Sequence, residues 1–159
     1  MAYWLHMLST VIWIGGLAAM VLLVLPAAQK ALSTEAFVHL LEALQRRLDP
    51  LGWFCLMLLV GTGLFQMSAS PNYKGFLAVN NPWAFAILVK HLVFLGMVAV
   101  SAYLTWGVLP GMRRAALRLS KGLESPDAAR LQRHNTQLLR LNLLLAVIVL
   151  ALTALARVS

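Results

Sequence analysis

The chain has 159 residues, 61% hydrophobic and only 11% charged, with a net charge of +8. Soluble domains carry about 25% charged residues, so composition excludes that class and points to an all-α integral membrane protein. The basic residues cluster between apolar runs, which favours contact with anionic lipid and argues against nucleic acid.

Four runs reach the roughly 20 apolar residues that a span needs: about 2–28, 51–70, 82–111 and 135–156, read together as a single transmembrane domain over 1–159. The first has no basic leader region and no small-residue cleavage site in polar context, so it reads as a span and not as a removable signal. It carries His6 and ends at Val24-Leu25-Pro26. Ser33 and Thr34 then offer an N-cap, and Phe37, Leu41, Leu44 and Leu48 recur at helical spacing. That pattern predicts a short amphipathic helix leading to Asp49-Pro50, where the second span starts. The second span holds Cys55 and Gly61-Thr62-Gly63. A lone cysteine excludes an internal disulfide, and the lack of C-x-x-C-H excludes covalent haem attachment. The third span carries Lys90 and His91 and ends at Val108-Leu109-Pro110, followed by a basic stretch with Ala115, Ala116 and Leu119 on one face. Ser125-Pro126-Asp127 marks the start of the last helix. At 1.5 Å per residue that helix is about 45 Å long, so its first third protrudes from the bilayer.

Charge sets the expected orientation. Lys30, Arg46 and Arg47 separate the first two spans, and Arg113, Arg114, Arg118, Lys121, Arg130 and Arg133 separate the last two, against Lys74 and Arg157 on the opposite side. The positive-inside rule then places the chain in the cell (inner) membrane with both termini extracytoplasmic. Short connections favour an up-down four-helix transmembrane bundle. The halves also resemble each other: each runs His, apolar span, Val-Leu-Pro, polar helix, then Leu44-Gln45-Arg46 or Leu131-Gln132-Arg133. This reads either as two pseudo-repeated helical hairpins about an axis along the membrane normal or as a coincidence of abundant residue types.

The chemistry rests on two histidines. His6 precedes Pro26 by 20 residues and His91 precedes Pro110 by 19, which predicts matched depths. An intramembrane imidazole is costly and marks a functional site by default. Spans one and three are diagonal neighbours in an up-down bundle, roughly 12–14 Å apart when adjacent axes lie 8–10 Å apart. A metal about 2 Å from each imidazole nitrogen fills that gap if the histidines face each other, so His6 and His91 are expected to be axial ligands of a haem b. The gap is too wide for a bare ion held by two histidines unless the helices close in. Gly61, Gly63 and Gly96 would clear room for the macrocycle or serve close helix packing. Trp13, two turns from His6, would wall the slot or pack in the core. Asn72, Tyr73, Lys74, Asn80 and Asn81 would meet the propionates or form an ordinary polar loop. Lys90, turned about 100° from His91, would snorkel outward or place a charge at the cofactor rim. Met7 and Met67 are soft ligands near the same level, whereas His39 and His134 lie in polar segments. With no carboxylate expected inside a span, an antiporter built on Asp or Glu is disfavoured.

The stretch His6-Met-Leu-Ser-Thr-Val-Ile-Trp13-Ile-Gly15-Gly16, with Trp83, Lys90 and Pro110, resembles the CopD-like copper-resistance membrane proteins over residues 3–111. That resemblance implies copper transport or resistance, with His6, His91, Met7 and Met67 as metal ligands. The chain is also similar to the HemJ-type protoporphyrinogen oxidases, a four-helix haem b group, of which His6 and Lys90 alone carry over. Ala27-Ala28-Gln29 follows Pro26 where that group has an arginine. Three functions are therefore expected in order: a haem b membrane protein with a redox or electron-transfer role, a copper transport or resistance protein, and a non-catalytic accessory subunit of a membrane complex. An enzymatic form would be a haem-dependent membrane oxidoreductase. A redox partner, a larger membrane complex and a homodimer stay open as partners.

Overall fold

The computed structural model describes residues 1–70, 75 and 82–158. Four long helices make up the fold: α1, Ala2–Ala31; α2, Thr34–Ser68; α3, Trp83–Leu119; and α4, Ala128–Val158. All four are long and apolar enough to cross a membrane, and no strand occurs among the described residues. They form an up-down bundle. One end, here the terminal end, holds both chain termini; the other, the basic end, holds the two connections that follow α1 and α3.

Neither Val-Leu-Pro triplet stops its helix, contrary to the sequence expectation. Pro26 lacks an N–H, and its ring crowds the carbonyl four residues back. A π-helical turn, Met20–Val24, opens the backbone where that conflict would fall, and α1 runs on to Ala31. A second π-turn, Tyr103–Val108, does the same ahead of Pro110, so α3 runs on to Leu119. Such single turns are uncommon and mark sequence-specified features. Their recurrence two residues before each proline gives the repeat a structural counterpart. The hairpins α1–α2 and α3–α4 are also the most extensively packed pairs, while the basic-end part of α3 leans on α2.

The amphipathic segment and the second span are one helix of 35 residues that continues through Pro50. Its N-terminus is capped as expected, with the Ser33 hydroxyl accepting from Ala36 N–H at 3.3 Å. The last helix starts at Ala128, two residues past the expected point, because Pro126 and Asp127 form the preceding turn.

Two clusters fill the interior. The larger joins Met20, Val21 and Leu25 of α1 to Phe37 of α2 and to Leu104 and Val108 of α3. The smaller sets Met97 against Ala146 and Val149, with Trp13 packed on it. Residues about 84 apart, such as Met20 and Leu104, share a cluster, so α1 and α3 keep the depth register that their prolines suggest. Outside, large apolar side chains such as Leu23, Phe65, Leu95 and Trp106 are exposed. In water that much apolar surface would drive association; on a membrane span it faces lipid tails.

Candidate functional site

His6 lies near the terminal end of α1 and meets α2. Its Nδ1 is 2.8 Å from Thr62 Oγ1. The Thr62 hydroxyl spends its one proton on the Leu58 carbonyl, so its oxygen accepts and His6 Nδ1–H donates. In the neutral ring that leaves the lone pair on Nε2. Gly63 opens space beside the same ring: a Cβ there would stand 3.4 Å from His6 Cε1. One turn further along α2, Gln66 has a buried Nε2 without a hydrogen-bond partner. Thr62 and Gly63 therefore meet the His6 ring, and Gln66 follows Thr62 one turn on along α2.

His91 is oriented in the same sense by different means. Its Nδ1 is 2.7 Å from the Ile87 carbonyl, one turn back on its own helix. A carbonyl only accepts, so Nδ1 carries the proton and Nε2 the lone pair. Counted back from the prolines, Lys90 occupies the same step on α3 as His6 does on α1, and His91 lies one residue further.

The remaining expected residues separate. Trp13 packs over Gly52, where a Cβ would lie 3.6 Å from the indole, and meets Phe94 edge-on at 6.2 Å. Gly61 is exposed with no heavy atom within 4 Å of where its Cβ would stand, and Gly96 abuts Leu145 of α4 at 3.9 Å. Of the three glycines, Gly63 is thus the one beside a histidine. Met7 is exposed and Met67 half-buried, while Cys55 is buried. Asn72, Tyr73, Lys74, Asn80 and Asn81 lie outside the described residues. Among the described residues no cluster of three or more His, Cys, Asp or Glu is placed to hold a metal.

Sequence reasoning missed a polar chamber on the basic-end side of Trp13. This cavity of about 110 Å³ is lined from all four helices, with Gln45, Asp49, Ser101, Thr105 and Asn142 among its walls. Asn142 Nδ2 donates to Ser101 Oγ at 2.9 Å, and Gln45 Nε2 donates to Asn135 Oδ1 at 3.0 Å. Trp53 stacks on Trp106 at 5.0 Å, its Nε1–H reaching Thr105 Oγ1 at 3.4 Å. Because α2 is continuous, Asp49 lies within that helix and lines the chamber, just ahead of the expected second span. Gln45 and Asp49 fall one turn apart on α2, and Asn135 and Asn142 two turns apart on α4. Those same-face spacings were the available signal.

Gln45 binds the two hairpins together across the chamber. Gln45→Leu would strand the buried Asn135 amide, so stability should fall by about 1–3 kcal/mol. Adding Asn135→Leu should recover most of that loss. Thermal unfolding in detergent checks both; additive losses would mean the two side chains do not act as a pair.

With this geometry in place, comparison with protein families is informative. The family described as "Copper resistance protein D" (CopD) matches residues 42–156. The chain belongs to the CopD family. Comparison with curated proteins and with solved structures gives no match. The CopD match runs from within α2 through α4, and so takes in Thr62, Gly63, Lys90, His91 and the chamber walls contributed by α2, α3 and α4. The His6 stretch, which carried much of the sequence resemblance, lies ahead of it. Family and fold together make this a multi-pass membrane protein of the copper-resistance type.

Proposed function

We propose that this CopD-family chain handles copper ions in the membrane, with His6 and His91 as imidazole ligands and the metal as cargo. The observation that carries this reading is the shared tautomer of the two rings. Both donate from Nδ1, to Thr62 and to the Ile87 carbonyl, which in the neutral ring makes Nε2 the basic nitrogen of each. Imidazole suits copper, and an acceptor behind the other ring nitrogen fixes a ligand's tautomer and raises its basicity. In this reading the basic end faces the cytoplasm of the inner membrane, and the histidines sit in the extracytoplasmic half. The test is a copper(I) titration of the purified chain against a competing chelator. About one equivalent per chain should bind with the wild type and be lost with His91→Gln; a wild type that binds none would overturn the proposal.

Haem b is the second reading, favoured by the space that Gly63 leaves at the His6 ring and by the unpartnered Gln66 Nε2. His6 and His91 would hold the iron, and Gln66 would donate to an acidic edge group. The haem would supply one-electron chemistry for a redox or electron-transfer role. Expression with ample haem separates the readings, since haem gives a Soret band and copper(I) does not. A chain that binds neither would be an accessory subunit of a membrane complex.

A further inference from the structure

A cluster of arginines lies far from His6 and His91, at the basic end between α3 and α4. A groove of about 1130 Å³ opens there, lined by Arg114 and Arg118 of α3 and by Arg130 and Arg133 of α4. His134 and Asp127 also line it, so four guanidiniums face one carboxylate. Arg114 and Arg118 are one turn apart, and Arg130 and Arg133 three residues apart, spacings that bring like charges together on a helix and cost stability. Among the described residues none of the four forms an ion pair. Arg114 does hydrogen-bond the Pro110 carbonyl through Nε, at 3.3 Å. The groove thus gathers cations that the protein itself does not neutralise.

Its upper wall is apolar. Tyr103 lies over Gly107, where a Cβ would stand 2.9 Å from the ring, and meets His134 edge-on at 5.8 Å. Gly107 therefore lets the tyrosine close the groove on the membrane side. A ligand with phosphate at the arginines and hydrocarbon against Tyr103 would match both surfaces. A guanidinium grips phosphate through paired N–H groups, and the arginines come as one pair from each helix.

We propose that this groove holds the head group of an anionic phospholipid with two phosphates, of the cardiolipin class, its acyl chains lying along α3. Basic pockets between membrane helices on the cytoplasmic side suit such head groups. The proposal is independent of what the histidines bind.

Delipidated full-length protein in detergent, exposed separately to cardiolipin, phosphatidylcholine and sodium pyrophosphate, provides the test, read by native mass spectrometry and thermal shift. Cardiolipin should remain bound and raise the unfolding temperature, whereas phosphatidylcholine should do neither. Arg118→Gln combined with Arg130→Gln should weaken cardiolipin roughly 25-fold, from the worth of two basic residues at a lipid surface. Arg46→Gln with Arg47→Gln removes equal charge from exposed positions outside the groove and should leave binding largely intact. If the first variant loses helicity, Arg114→Gln with Arg133→Gln replaces it. The proposal is overturned if phosphatidylcholine binds equally, if pyrophosphate protects as well as the lipid, or if the control pair loses as much as the groove pair.

Discussion

His6→Gln is expected to remove copper binding altogether, and Thr62→Val to weaken it about 10–100-fold, the usual cost of losing a group that orients a metal ligand. The two effects come from different links of one chain. His6 would supply Nε2 to the metal, whereas Thr62 would act only by accepting the Nδ1 proton, a role it can fill because its own proton is taken by the Leu58 carbonyl. Thr62→Ser keeps that oxygen and should bind nearly as wild type. Lys90 gives the sign that separates the two metal readings. A lysine cation beside the ligands would oppose a second cation, so Lys90→Met should tighten binding of a copper cation. Under haem ligation the same change should lower the reduction potential, since a nearby fixed cation favours the less positive centre, and the spectrum should stay six-coordinate. Chelator competition and potentiometry measure these. Copper retained by His6→Gln would rule out the imidazole, and Thr62→Val equal to wild type would rule out the orienting role.

Much of this was legible in the sequence because lipid reads composition directly. Four long apolar runs gave four helices, and the Ser33 cap fell where the side chain predicted. The prolines misled for a definite reason. A proline ends a helix when its clash goes unrelieved, but here a π-turn ahead of each relieves it, and a π-turn has no residue signature of its own. Joining the amphipathic segment to the second span then moved Asp49 from a helix start to a chamber wall. The site was half legible. His6, His91, Lys90 and Gly63 stood out as costly or small residues in apolar runs. Thr62 and Gln66 did not, because threonine and glutamine are unremarkable until a histidine on another helix gives them a partner or a place.

The largest loss of stability is expected from Phe37→Ala, at about 3–5 kcal/mol. Phe37 is 1% exposed and lies one turn past the Ser33 cap, where α2 meets the parts of α1 and α3 beyond their π-turns. Leu25, Val108 and Met112 are buried in the same cluster, so the ring joins three helices at the basic end. Transfer from water contributes little to holding such a cluster together within lipid, and the cost of truncation comes from the cavity left among side chains that cannot collapse into it. Phe54, on the same helix but 55% exposed, makes the comparison: Phe54→Ala exchanges ring-to-lipid contact for lipid alone and should change stability by less than about 1 kcal/mol. Unfolding in mild detergent, with both variants beside wild type, measures the difference. If Phe54→Ala costs as much as Phe37→Ala, the basic end is not a packed core, and the exposed face of α2 is covered by protein instead of lipid.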